Sequence, residues 1–142
     1  MHLFRNMTDA DYDYLASCPM ILGIPSLEAL FVHAGFNPDK RLEDQQPFAV
    51  MNVRTLDEDG IATKLKDGEE WSNIWNMRQE ANNSTFPAPY RKVYYGHAAG
   101  QGLQLKNYTF GVDTGCVYGR NLTALEIKSG QITQVPCQMY AE

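Results

Sequence analysis

Two apolar runs in this chain stop at the same kind of place. Ala29-Leu30-Phe31-Val32 runs into His33-Ala34-Gly35, and Val93-Tyr94-Tyr95 runs into Gly96-His97-Ala98-Ala99-Gly100. Each run is short and rich in branched or aromatic residues, the pattern of a buried strand. Each ends on a histidine followed by small residues, so the ring stands at a strand end with room beside it, where α/β sheets present functional groups from rigid supports. The chain has three histidines, and two of them share this placement. Imidazole is the commonest protein ligand for borderline divalent metals. The competing reading is a pair of packed histidines at a sheet edge, and the residues alone leave both open.

The rest of the chain fits one β-rich α/β unit. Thr8-Asp9-Ala10-Asp11 reads as a helix cap and first turn leading into Tyr12 and Leu15. Met20 to Ile24 and Ala29 to His33, split by Pro25-Ser26, predict two adjacent buried strands. Residues 37 to 67 are polar and irregular, with a short helix expected around Pro47 to Asn52. A brief helix is expected from Glu69 to Trp75, with Trp71, Ile74 and Trp75 on one face and the two tryptophans plugging a sheet edge. From Arg91 onward the period becomes that of short strands, ending in a hairpin at Ser129-Gly130. At 142 residues the chain holds one domain or a piece of one, on a prior of about 150 residues per domain.

Charge and cysteine content narrow the chemistry. Twelve basic against seventeen acidic residues leave a net charge of −5, so the chain lacks the field that would hold nucleic acid by charge alone. A phosphate-bearing partner must be met by a bound metal or a few arginines. No window approaches the roughly 18 apolar residues of a membrane span, and Met1 to Asn6 carries no signal-peptide pattern. Cys18, Cys116 and Cys137 form no C-x-x-C pair, and free buried thiols are expected over a Cys116–Cys137 bridge. Asn-x-Ser/Thr triplets stand at Asn6, Asn82, Asn83, Asn107 and Asn121 and would permit glycosylation in a secretory compartment, which leaves the compartment open.

Two further residues carry alternatives. Arg54, a lone cation in Met51-Asn52-Val53-Arg54-Thr55, suits either a phosphate or an ion pair with Asp57, Glu58 or Asp59. Asp113, between Val112 and Thr114, suits a turn or a hydrogen bond to a histidine N–H better than direct metal ligation.

Taken in order, His33-Ala34-Gly35, Met51-Asn52-Val53-Arg54, Trp71-Ser72-Asn73-Ile74-Trp75-Asn76, Tyr95-Gly96-His97-Ala98-Ala99-Gly100-Gln101-Gly102-Leu103-Gln104 and Gly111-Val112-Asp113-Thr114-Gly115-Cys116-Val117-Tyr118-Gly119-Arg120-Asn121-Leu122-Thr123-Ala124-Leu125 resemble the carboxy-terminal half of a calcineurin-like metallophosphoesterase, in the branch of diadenosine-tetraphosphatase-like phosphatases and endopolyphosphatases. The resemblance runs from about Leu15 to Tyr140. It implies the back half of a four-layer α/β fold, a β-sandwich flanked by helices, and two divalent ions (zinc, manganese, iron or cobalt) that polarise a phosphoryl group and activate a water. Carried over by position, His33 and His97 hold a metal, Arg54 and Tyr118 meet substrate, and Asp113, Gly35 and Gly96 support them. The family's earlier motifs, G-D-x-H, G-D-x-x-D-R/K-G and G-N-H-E, are absent: there is no Gly-Asp and no Asn-His dipeptide. Two imidazoles cannot fill a pair of ions. The expectation is therefore a single partial domain over residues 1–142, inactive alone, that works with a missing amino-terminal half or a complementary chain. The alternative is a phosphatase-like binding or regulatory module without catalysis.

Overall fold

The computed structural model describes residues 7–140. His2, Asn6 and the amino-terminal segment read above lie outside the described residues. Helix α1, Asp9–Ser17, opens with a capping box in which Thr8 and Asp11 exchange hydrogen bonds between side chain and main chain. It buries none of its residues.

A five-stranded sheet forms the centre. It contains β1 (Ile21–Ile24), β2 (Ala29–Val32), β6 (Lys92–Tyr95), β7 (Gln104–Leu105) and β8 (Thr109–Gly111), in the order β1-β2-β6-β8-β7. The inner strands β2, β6 and β8 run parallel and the outer two antiparallel. A parallel neighbour cannot be reached by a tight turn, so the 59 residues between β2 and β6 form the crossover. That crossover holds α2 (Pro47–Asn52), a small sheet of β3 (Thr55–Leu56), β4 (Ala62–Thr63) and β5 (Glu69–Glu70) in the order β4-β3-β5, and α3 (Trp71–Glu80). The small sheet occupies part of the segment expected to be irregular. Glu69 and Glu70 pair with β3 rather than opening the helix, which begins at Trp71 and runs five residues past the expected end.

Helix α3 covers one face of the central sheet. Leu30, Val93 and Thr109 stand in register across β2, β6 and β8 and are all but fully buried. Trp71, Trp75, Phe36 and Phe86 pack over them, with Trp75 1% exposed and Phe36 meeting Trp75 at 5.8 Å between ring centroids. The tryptophans thus cover central strands instead of plugging an edge. Polar docking completes the contact: Asn76 Nδ2 donates to Thr109 Oγ1 at 2.8 Å, and Tyr108 N–H donates to Asn76 Oδ1 at 2.8 Å. Gly35 lies directly beneath the Trp71 indole, and an added Cβ would come within 2.3 Å of that ring.

The opposite face is less covered. Leu22, Phe31, Tyr94, Phe110 and Leu105 form one register row across all five strands, with the aromatic rings stacked at 5.1 and 4.7 Å. Its inner member, Tyr94, is 9% exposed, but the outer members Leu22 and Leu105 are 51% and 49% exposed. Strand β1 is adjacent to β2 as expected yet is not buried, because it stands at the sheet's edge and only β2 pairs with it.

The last unit is a hairpin of β9 (Asn121–Leu125) and β10 (Ile132–Pro136) turned at Gly130, which has φ 72°. Cys116 and Cys137 are joined by a disulfide, which corrects the expectation of free thiols. The reason is main-chain pairing: Cys137 N–H donates to Arg120 O at 2.8 Å and Tyr118 bridges Met139, so the two cysteines are brought to a Cα separation of 5.2 Å, within bridging range. Cys18 is free but exposed rather than buried.

Candidate metal and phosphate site

The ends of β2 and β6 are neighbours because the strands are parallel, and this brings His33 and His97 together. Their ring centroids are 5.1 Å apart with planes tilted by 59°. Gly96 N–H donates to His33 O at 2.8 Å, tying the two strand ends, and Ala34 N–H donates to Val50 O at 2.9 Å, anchoring the first to α2. His33 is exposed, whereas His97 is half-buried and adopts φ 65°, a left-handed conformation uncommon outside glycine. Its Nε2 is buried and has no hydrogen-bond partner. Burial lowers the His97 pKa below the ordinary histidine value, and the nearby Arg54 and His33 lower it further; a hydrogen bond to the Asn52 main chain and the Asp113 charge act in the opposite direction. The ring is thereby biased toward the neutral form that a metal requires.

Those features fit a divalent cation as far as they go. A buried, unpartnered ring nitrogen beside a second imidazole is a donor pair waiting for an acceptor. Among the described residues, however, no three His, Cys, Asp or Glu side chains converge, so the two imidazoles do not by themselves make a whole coordination set.

The other sequence-derived residues lie around this pair. Asp113 shares a depression with both histidines, and its Oδ1 accepts the Gly115 N–H at 3.1 Å, a turn-forming bond. An added Cβ on Gly96 would make only ordinary contacts at 3.6 Å or more, so no close approach demands glycine there. Arg54 follows α2, and its main chain is held by Thr63 and Trp71. Among the described residues it forms no ion pair with Asp57, Glu58 or Asp59; its Nη1 donates instead to Lys64 O at 3.0 Å. Arg54, His97 and the half-exposed Tyr118 line one groove of about 280 Å³. Lys66 and Arg120 line it too; Arg120 stands in the resembling segment without an expected role, and Lys66 stands in none. They sit in loops, where no periodicity marks a residue; the one local signal is that Arg120 follows the Tyr118-Gly119 turn.

No family model matches the chain. A symmetrical bis(5'-nucleosyl)-tetraphosphatase of Methylobacillus flagellatus is 47% identical over 45 residues, which is 32% of this chain and 16% of that protein. The zinc-dependent endopolyphosphatase of Saccharomyces cerevisiae is 26% identical over 121 residues, covering 74% of this chain and 35% of the relative. Among solved structures, that of a protein assigned as a diadenosine tetraphosphatase superposes with a TM-score of 0.78 at 28% identity, over 95% of this chain and 58% of the other. The chain accordingly has a metallophosphoesterase-like α/β fold. Its relatives are symmetrical dinucleoside tetraphosphatases and a zinc-dependent endopolyphosphatase, as the sequence resemblance implied. It spans 58% or less of the length of each of these proteins.

Proposed function

We propose that this chain supplies one side of the active centre of a metal-dependent hydrolase of phosphoanhydride bonds. His33 and His97 donate imidazoles to a divalent cation, and Arg54 and Tyr118 meet a phosphate of the substrate beside it. The observation that carries this reading is the buried, unpartnered Nε2 of His97, on a ring whose centroid lies 5.1 Å from that of a second imidazole. A bound metal pair would supply Lewis acidity and a water of lowered pKa. The chain's own part is to present the two imidazoles, to keep them oriented through the Gly96 to His33 main-chain bond, and to offer the Arg54 guanidinium to phosphoryl oxygens. Dinucleoside polyphosphates and inorganic polyphosphate are the substrate classes suggested by the relatives' names.

Two imidazoles fall short of a four- to six-coordinate pair of ions. The remaining donors are assigned to protein outside these 142 residues, in the same polypeptide or a second chain, and the isolated chain is expected to hydrolyse nothing. The same shortfall supports a second reading, a phosphatase-like module that binds without catalysis. Titration with cobalt(II), followed by its visible absorption, tests the metal role. One weak site is expected, lost in His33→Ala and in His97→Ala. Unchanged binding in both variants would refute it.

A further inference from the structure

Net charge and local charge disagree in this molecule. Acidic residues outnumber basic ones by seventeen to twelve, yet the groove that begins at His97 is lined by Arg54, Lys66 and Arg120. Among the described residues, the ion pairs are those of Arg41, Arg78 and Lys106; none of the three groove cations has a carboxylate within 4.0 Å. Glu70, whose partner Gln101 lies beside Arg54 and Lys66, is already engaged: it accepts from Lys106 Nζ at 3.0 Å and from Gln101 Nε2 at 2.5 Å. Asp113 stands with the histidines and is bonded to Gly115 N–H.

The two guanidinium groups are also held in place. Arg120 Nη1 donates to Ala99 O at 2.9 Å, and its stem crosses Gly115 so closely that a Cβ there would meet Arg120 Cδ at 3.1 Å. Gly115 has φ 77°, so the crossing depends on glycine twice over. Arg54 Nη1 donates to Lys64 O. Each guanidinium thus commits one N–H to a carbonyl and leaves its other donors to the groove. Lys66 Nζ lies 3.8 Å from where a Gly100 Cβ would be, and both residues line the groove. Two guanidinium groups held in place and a lysine, none paired with a carboxylate, around one concavity form an anion site that is preorganised in part. A single phosphate dianion cannot neutralise three of them, whereas consecutive phosphates of a linear chain can.

We infer that Lys66 and Arg120 are specificity-determining residues which, with Arg54, bind the phosphates flanking the one beside His97, so that the groove selects a linear chain of phosphates over a phosphomonoester or free phosphate. This rests on the reading of the site as phosphate-hydrolysing, but it concerns residues that hold no metal, and it is testable without one.

The test is calorimetric titration of the 142-residue chain with sodium tripolyphosphate and, separately, with inorganic phosphate, in the presence of a chelator. Tripolyphosphate is expected to bind at least about tenfold more tightly, with an affinity that falls as salt rises. Lys66→Met and Arg120→Met should each lower tripolyphosphate affinity about tenfold and leave phosphate affinity within about twofold. Arg120→Lys, which keeps the charge and loses the fork, should fall between. Equal affinity for the two anions, or variants that bind tripolyphosphate like the parent, would overturn the inference. Lys66 is exposed, so its variant carries the test even if an Arg120 variant unfolds. Because chelator is present, failure of the metal reading leaves these outcomes unmoved, and the cobalt titration reports that failure separately.

Discussion

The two faces of the central sheet are built from the same strands and end in different states. On one, Leu30 and Val93 vanish beneath Trp71 and Trp75, and even the polar Thr109 finds a buried partner in Asn76. On the other, Phe31, Tyr94 and Phe110 stack neatly, but the row they begin runs out to half-exposed leucines at both ends. Register alone makes a continuous apolar row; only a helix carrying large side chains turns that row into a core. The difference teaches that stability in this chain is drawn from the α3 side, while the proposed site lies on the rim joining the two faces, where β2 and β6 end.

The largest expected break in that comparison is Trp75→Ala. It removes a fully buried indole that also donates to Arg91 O at 2.9 Å, and should cost about 3–5 kcal/mol, read from the shift in urea midpoint. Phe110→Ala on the other face removes a partly buried ring and one stacking partner, and about 1–2 kcal/mol is expected in the same assay. If the two losses were equal, the faces would not differ energetically. At the rim, the lowered pKa of His97 has a definite sign. Folding favours the neutral ring, so its contribution is intact above the ordinary value of 6.5 and is lost as pH falls below it; thermal melts should drop in that range, less steeply in His97→Gln. The smallest effect belongs to Leu22→Ser, which should change stability by less than about 0.5 kcal/mol because half the side chain already meets solvent.

The chain's local features were legible in the sequence. The helix cap at Thr8, helix α2, the turn at Gly130 and the placement of His33 and His97 at strand ends all follow from residues close together in the chain. What escaped depends on partners far apart in sequence. Strand β1 has the composition of a buried strand, but burial is decided by sheet order, and β1 falls on the edge. Spacing did not favour a Cys116–Cys137 bond; the pairing of residues 118 and 139 does. Helix α3 starts late because Glu69 and Glu70 are claimed by β3, a competition that no helical periodicity reveals. Lys66 and Arg120 reach one groove from loops 54 residues apart, which left no pattern to read.

The backbone at position 97 has a consequence for anyone redesigning this protein. A side chain there sits at φ 65°, a conformation that glycine adopts without penalty. Selection for heat resistance alone would therefore drift toward His97→Gly, and the sturdier variant would have discarded the imidazole on which the proposed chemistry turns.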